Sequence, residues 1–169
     1  MLKTKFIVAN ETGILHLQDL ARTTIKERFT GQIDTNELEN YIESRYNTQT
    51  IISELNDFSN QCIIVYFDDK PAGFAYFSDK GQKPDFLTAK RTKHLVQFEI
   101  LSVFKNTGAA EMLLEKCINV SKTCAALWLE EPTDSPISGL LNANGFVIEK
   151  PVIPVHGLPV ESVLFVKYF

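Results

Sequence analysis

The strongest constraint in this chain is a strand that runs into a small-residue loop and out along an amphipathic helix. His94 to Phe104 reads as a long β-strand, and Lys105-Asn106-Thr107-Gly108-Ala109 breaks it. Ala110, Leu113, Leu114, Cys117, Ile118 and Ser121 then recur on one helical face. That spacing, i, i+3, i+4, i+7, i+8 and i+11, is the clearest helical period in the sequence. Ala125-Ala126-Leu127-Trp128-Leu129 follows as a buried strand. Strand, helix and strand in this order predict a parallel pair joined by a right-handed crossover.

The elements on either side extend the same pattern. Phe6 to Val8 reads as a first strand, and Thr12 caps a helix carrying Ile14, Leu17, Ala21 and Ile25. Phe29-Thr30-Gly31 ends it. Asp34 with Glu37 resembles a capping box, and the next helix places Leu38, Tyr41, Ile42 and Arg45 on one stripe. Thr48 caps a short helix bearing Ile51, Ile52 and Leu55. Cys62 to Phe67, the turn Asp68-Asp69-Lys70-Pro71, and Ala72 to Phe77 form a hairpin. Residues 78–93 are polar and carry Lys80, Lys83, Lys90, Arg91 and Lys93, either a solvated excursion or a patch for an anionic ligand. After the crossover, Asp134 or Ser135 caps a helix that stops at Asn144-Gly145. Phe146 to Ile153 and Val160 to Phe169 pair around His156-Gly157-Leu158-Pro159. The expected architecture is α/β in the broad sense (α+β): a mixed, mostly antiparallel sheet with helices on both faces.

Composition limits the alternatives. A chain of 169 residues suits one domain over 1–169, and 44% apolar residues with 12 Phe supply a core. The net charge of −4 argues against broad nucleic-acid binding. No segment resembles a secretory signal or a membrane span, so the expectation is a cytoplasmic protein with no membrane partner. The 3 Cys are scattered without a Cys-x-x-Cys pair, and the 3 His are far apart, so no metal is expected.

The loop carries the chemistry. The first amides of a helix lack intrahelical partners and, with the helix dipole, attract anions such as phosphate. Gly108, Ala109 and Ala110 allow close backbone approach, Lys105 adds a positive charge, and Asn106 and Thr107 offer side-chain hydrogen bonds. The same segment also reads as an ordinary strand-to-helix turn. Neither a Walker loop nor a dinucleotide fingerprint is present.

In its order of elements the chain resembles the GNAT superfamily of N-acetyltransferases over nearly its whole length. The family's loop pattern Gln/Arg-x-x-Gly-x-Gly/Ala is matched by Lys105-Asn106-Thr107-Gly108-Ala109-Ala110. Its hairpin pattern is matched by Ile63 to Asp69 followed by Lys70-Pro71-Ala72-Gly73-Phe74-Ala75. Leu127-Trp128-Leu129 and Leu140-Leu141-Asn142-Ala143-Asn144-Gly145-Phe146 stand where the family has Leu-x-Leu and Phe-Tyr-x-x-x-Gly-Phe. The first third, with Leu38, Tyr41, Ile42 and Glu54-Leu55-Asn56-Asp57, looks like the bacterial branch that includes polyamine acetyltransferase-like proteins.

The resemblance implies acetyl-CoA as co-substrate. Backbone groups near Ile100 and Leu101 would meet its pantetheine arm, and the amides of Lys105 to Ala110 its pyrophosphate. It implies transfer of the acetyl group to a primary amine of a small molecule or peptide. Three departures stand out. The loop begins with Lys105, and Asp134 or Ser135 replaces a frequent Asn. The family's frequent general-acid tyrosine aligns with Leu141, which has no proton to give. A thiol pKa of about 8.5 still makes thiolate a fair leaving group. Candidate bases are Glu99 and His94, of opposite strand parity; Glu99 also reads as a solvated or salt-bridged strand residue and His94 as a strand-end surface residue. Glu130, Glu131 and Tyr76 can hold an amine, or serve as loop acids and a core aromatic. The alternative function is a CoA-binding or interaction module with little or no activity. Val160–Phe169 can pair internally or between the subunits of a homodimer.

Overall fold

Asp68 and Asp69 take left-handed backbone angles, with φ of 45° and 63°. Two such residues in succession make the tight hairpin loop whose twist matches the flanking strands, and a short polar side chain tolerates it. In the computed structural model the turn is therefore two residues long. Lys70 and Pro71 belong to the returning strand rather than to the turn. The Met1 ammonium pairs with Asp68 and Lys3 with Asp69.

The structure describes residues 1–149 and 158–169. The elements are β1 (Leu2–Phe6), α1 (Glu11–Phe29), α2 (Thr35–Tyr46), α3 (Thr48–Leu55), β2 (Asn60–Phe67), β3 (Lys70–Ser78), β4 (Thr92–Ile100), α4 (Ala109–Ser121), β5 (Ala126–Pro132), α5 (Ser138–Ala143), β6 (Val147–Glu149) and β7 (Ser162–Tyr168). Backbone hydrogen bonds order the strands β1-β2-β3-β4-β5-β7-β6. β4 with β5 is parallel, while β1 with β2, β5 with β7 and β6 with β7 are antiparallel. This is the mixed, mostly antiparallel sheet expected from the sequence.

By internal contacts the chain forms two units. The first comprises residues 1–76 and 97–116. In it β1 pairs with β2 from Leu2 opposite Phe67 to Phe6 opposite Ile63. Cys62, Ile63, Ile64 and Val65 are all at most 1% exposed, which explains why β2 reads as a continuous apolar run rather than an alternation. α1 buries Ile14, Leu17, Ala21 and Ile25, as their spacing predicts. Its cap is Asn10, not Thr12: the Asn10 side chain accepts the Gly13 amide at 2.8 Å. Asp34 caps α2 through the amides of Asn36 and Glu37, and Asn47 rather than Thr48 caps α3 through the Thr50 amide.

Gly73 shows what holds β3 against β4 within this unit. A Cβ there would lie 2.4 Å from the Glu99 carbonyl and 2.5 Å from Ile100 Cδ1. Only glycine permits that approach.

The second unit comprises residues 77–96 and 117–169. Leu87 pins the polar excursion, packing with Ala126, Trp128, Leu164 and Val166 in an apolar cluster. β5 pairs with β7 along seven positions, from Ala126 with Tyr168 to Pro132 with Ser162. The final helix starts later than the sequence suggests, and no side chain caps it. The Ser135 hydroxyl instead donates to Glu131. Gly145, at φ 81°, ends the helix where expected. β7 is shorter than predicted, and β6 is described from Val147 to Glu149. The expected strand beyond Glu149 and the turn residues His156 and Gly157 lie outside the described residues.

Candidate functional site

The strand that carries the site stops at Ile100, not at Phe104. Leu101 leaves the ladder and Ser102–Phe104 winds into a single 3-10 turn. Glu27 on α1 fixes this bend, accepting the Ser102 amide at 2.9 Å and its hydroxyl at 2.7 Å. The Leu101 amide donates to the Ala72 carbonyl on β3 at 2.9 Å. That bond engages the Leu101 N–H within the fold. Ladder alternation turns the backbone groups of Ile100 away from β3.

Past the bend, Lys105 and Asn106 are exposed and Gly108 sits at φ 82°. The Thr107 hydroxyl donates to the Phe104 carbonyl at 2.7 Å, so its proton braces the loop. The amide of Met112 closes onto Gly108. Among the described residues, the amides of Gly108, Ala109 and Ala110 have no backbone acceptor. Three N–H groups without a backbone acceptor stand at the positive end of the thirteen-residue helix α4, with a lysine three residues before Gly108, an arrangement that favours an anion.

A polar network lies along the same strand in the first unit. Glu99 is 6% exposed and pairs with Arg28 of α1 at 2.9 Å. Gln97, two residues before Glu99 on the strand, accepts the hydroxyl of Tyr46. Burial raises the proton affinity of Glu99 above the usual carboxylate range, opposed by Arg28. Burial likewise pushes the Tyr41 hydroxyl up to about 12. Tyr76 donates to Glu54, which also accepts from Asn60. The Tyr76 hydroxyl is thus engaged with a carboxylate, and its pKa is raised by burial and by that partner.

The second unit holds a different pair. His94 and Trp128 are register partners on β4 and β5. Their rings stack 3.6 Å apart and within 4° of parallel. His94 Nε2 lies 2.7 Å from Glu130 Oε2, with side chains 16% and 14% exposed. Stacking and the carboxylate together fix the imidazole plane. Glu131, by contrast, is 3% exposed and accepts the Ser135 hydroxyl. Leu141 is fully buried.

Of the residues singled out in sequence, the structure brings Lys105 to Ala110 together in one loop and joins His94 to Glu130. It ties Glu99 and Tyr76 into the network instead of leaving them as isolated side chains. Arg28, Tyr46 and Gln97 were not anticipated. Arg45 had one legible signal, a cation on the apolar stripe of α2. Among the described residues no group of three or more His, Cys, Asp or Glu is placed to hold a metal, and no helix is long and apolar enough to cross a membrane.

A strand, a bend and a helix whose first amides lack backbone acceptors define a small mixed-sheet protein with an anion-favouring helix start. The model of the Acetyltransferase (GNAT) family matches residues 25–138, and the chain belongs to that family. It superposes on the PaiA N-acetyltransferase of Thermoplasma acidophilum, solved in complex with coenzyme A, with a TM-score of 0.78 at 13% identity, covering 100% of this chain and 99% of that one. An acetyltransferase from Streptococcus agalactiae matches with a TM-score of 0.66 at 16% identity over 99% and 98%. The ribosomal-protein-S18-alanine N-acetyltransferase of Escherichia coli matches at 0.62 and 13% over 98% and 94%.

Proposed function

We propose that this chain is an acetyl-CoA-dependent N-acetyltransferase acting on a primary amine of a small molecule or peptide. The observation that carries the reading is the loop: Gly108, Ala109 and Ala110 offer free amides in a chain of the GNAT family. These amides and Lys105 would hold the cofactor's diphosphate, and the backbone of Ile100 its pantetheine arm. Acetyl-CoA supplies an activated acyl group. In the transfer an N–C bond forms as the C–S bond breaks, the sulfur departs as thiolate, and the amine gives up one proton. His94 is the group assigned to take that proton, with Glu130 as its positioning residue, because the 2.7 Å contact and the stack on Trp128 hold the ring while leaving it partly exposed. Glu99, buried against Arg28, orders the network around it. The acceptor class includes the polyamines that the resemblance of the first third suggests.

Acetyl-CoA at one hundred times its Kd would stabilise the chain by about 2.7 kcal/mol, a clear rise in melting temperature. Gly108→Glu, which places a carboxylate among the three amides, abolishes the rise. No shift at millimolar acetyl-CoA would sink the reading. The buried Leu141 favours one second reading, a CoA-binding module that does not turn over. Thiol release above the uncatalysed rate with any amine of a broad panel excludes it.

A further inference from the structure

Arg45 is a partly buried cation of the first unit. It stands in the last turn of α2, with its guanidinium 5.8 Å from the centre of the Tyr41 ring. The unit's other buried cation, Arg28, has Glu99. Glu54 is engaged by Tyr76 and Asn60. Among the described residues no carboxylate lies within ion-pair distance of Arg45. A guanidinium has five N–H donors, and a withdrawn cation without an anion is costly. Beside it the Tyr41 hydroxyl is shielded from solvent and has no hydrogen-bond partner among the described residues. An unmatched cation and an unmatched hydroxyl donor on one helix are what a carboxylate needs: a planar fork and one further O–H.

We infer that Arg45 and Tyr41 bind the carboxylate of an acceptor that also carries the amine, so that the substrate class is amino acids or peptides with a free carboxyl group. The inference rests on the acetyltransferase reading. It narrows that reading from any amine to one bearing an anion. The connection to the site is through the strand: Tyr46, next to Arg45 in the chain, bonds Gln97, and Gln97 lies three residues before Ile100 on β4.

The test compares matched pairs. Thiol release is measured with acetyl-CoA and glycine, leucine, lysine or glutamate, each as free acid and as carboxamide, with spermidine as a carboxylate-free amine. The acid form is expected to exceed its amide in kcat/KM by about tenfold or more, the scale of one charged hydrogen-bonded contact. Arg45→Gln brings that ratio to about one, with folding verified by circular dichroism. Tyr41→Phe lowers the ratio without lowering the melting temperature, because it removes a hydroxyl that makes no bond in the unliganded protein. Equal use of acids and amides, a preference for spermidine, or a ratio unchanged in Arg45→Gln overturns the inference. Calorimetric titration with the N-acetyl amino acids and their amides reads the same site without turnover. Arg45-dependent binding of the acids without thiol release would retain the anion site and refute the transferase reading. Thiol release with no discrimination would do the reverse, and binding of neither form to the wild type would overturn the inference.

Discussion

Glu99 and His94 lie on one strand, and each has a polar partner at hydrogen-bond distance, Arg28 at 2.9 Å and Glu130 at 2.7 Å respectively. They differ in exposure. The Glu99 side chain is 7% exposed and that of His94 is 16% exposed. Burying a carboxylate this far commits it to its partner, because removing Arg28 leaves a charge that water scarcely reaches. A half-shielded imidazole can still exchange its proton with solvent or substrate. The comparison teaches that a titratable side chain on a functional strand is not therefore a catalyst. Burial and partner are what distinguish the two, and they are the reason His94 rather than Glu99 is proposed as the base.

The sharpest way to break this comparison is Glu99→Gln. It deprives Arg28 of its carboxylate and is expected to cost about 3 kcal/mol, read as a lower urea midpoint with the slope unchanged. A loss below about 1 kcal/mol would place Glu99 among the weak surface pairs instead. His94→Gln should show the opposite profile. Its stability cost is small, since glutamine still donates to Glu130, while kcat falls about a hundredfold, the lower end of what a general base contributes. If kcat survives His94→Gln, the proton goes elsewhere.

Gly73→Ala comes next. Its Cβ would press on the Glu99 carbonyl and Ile100 Cδ1 within 2.5 Å, so overpacking of about 2 kcal/mol is expected. The clash falls on the backbone of β4 just before the cofactor loop. The Tm shift produced by acetyl-CoA should therefore weaken along with stability. A Gly73→Ala variant of wild-type stability would show that β3 and β4 yield there.

Much of this was legible in the chain, for reasons that differ by residue. The hairpin, the crossover and α4 were visible because apolar spacing records which face is buried, and burial is what drives those elements together. Gly108 was visible because few residues but glycine occupy a φ of 82° without cost. The ends were harder to read. Phe104 looked like strand, yet the chain bends at Leu101 because Glu27, seventy-five residues earlier, captures the Ser102 amide. Asn10 displaced Thr12 as a cap by a choice of one hydrogen bond. Arg28 was invisible as the partner of Glu99, since seventy-one residues separate them and no local pattern encodes the pairing. Arg45 lay in plain view on an apolar stripe, and only its lack of a carboxylate, a fact of three dimensions, gave it meaning.

The smallest expected effect is alkaline, and it separates the two units by their phenols. Tyr41 is raised from 10.0 to about 12, chiefly by burial, and Tyr46 and Tyr76 are raised as well. A group whose folded pKa exceeds its unfolded value contributes stability that is complete below the unfolded pKa and is lost as pH rises through the folded one. For Tyr41 that window runs from about 10 to about 12. Cys62, raised by burial from 9.0 to about 12, opens its own window one unit earlier. Tyr168 of the second unit is 43% exposed and should ionise first, with the fold intact. Phenolate absorbance followed beside far-ultraviolet circular dichroism should therefore show an early phase without unfolding and a late one that coincides with it. Tyr41→Phe should shrink the late phase and move the unfolding slightly to higher pH. A single phenolate step with the helices intact would mean that the network of the first unit is open to hydroxide, and the contrast drawn between Glu99 and His94 would lose its basis in burial.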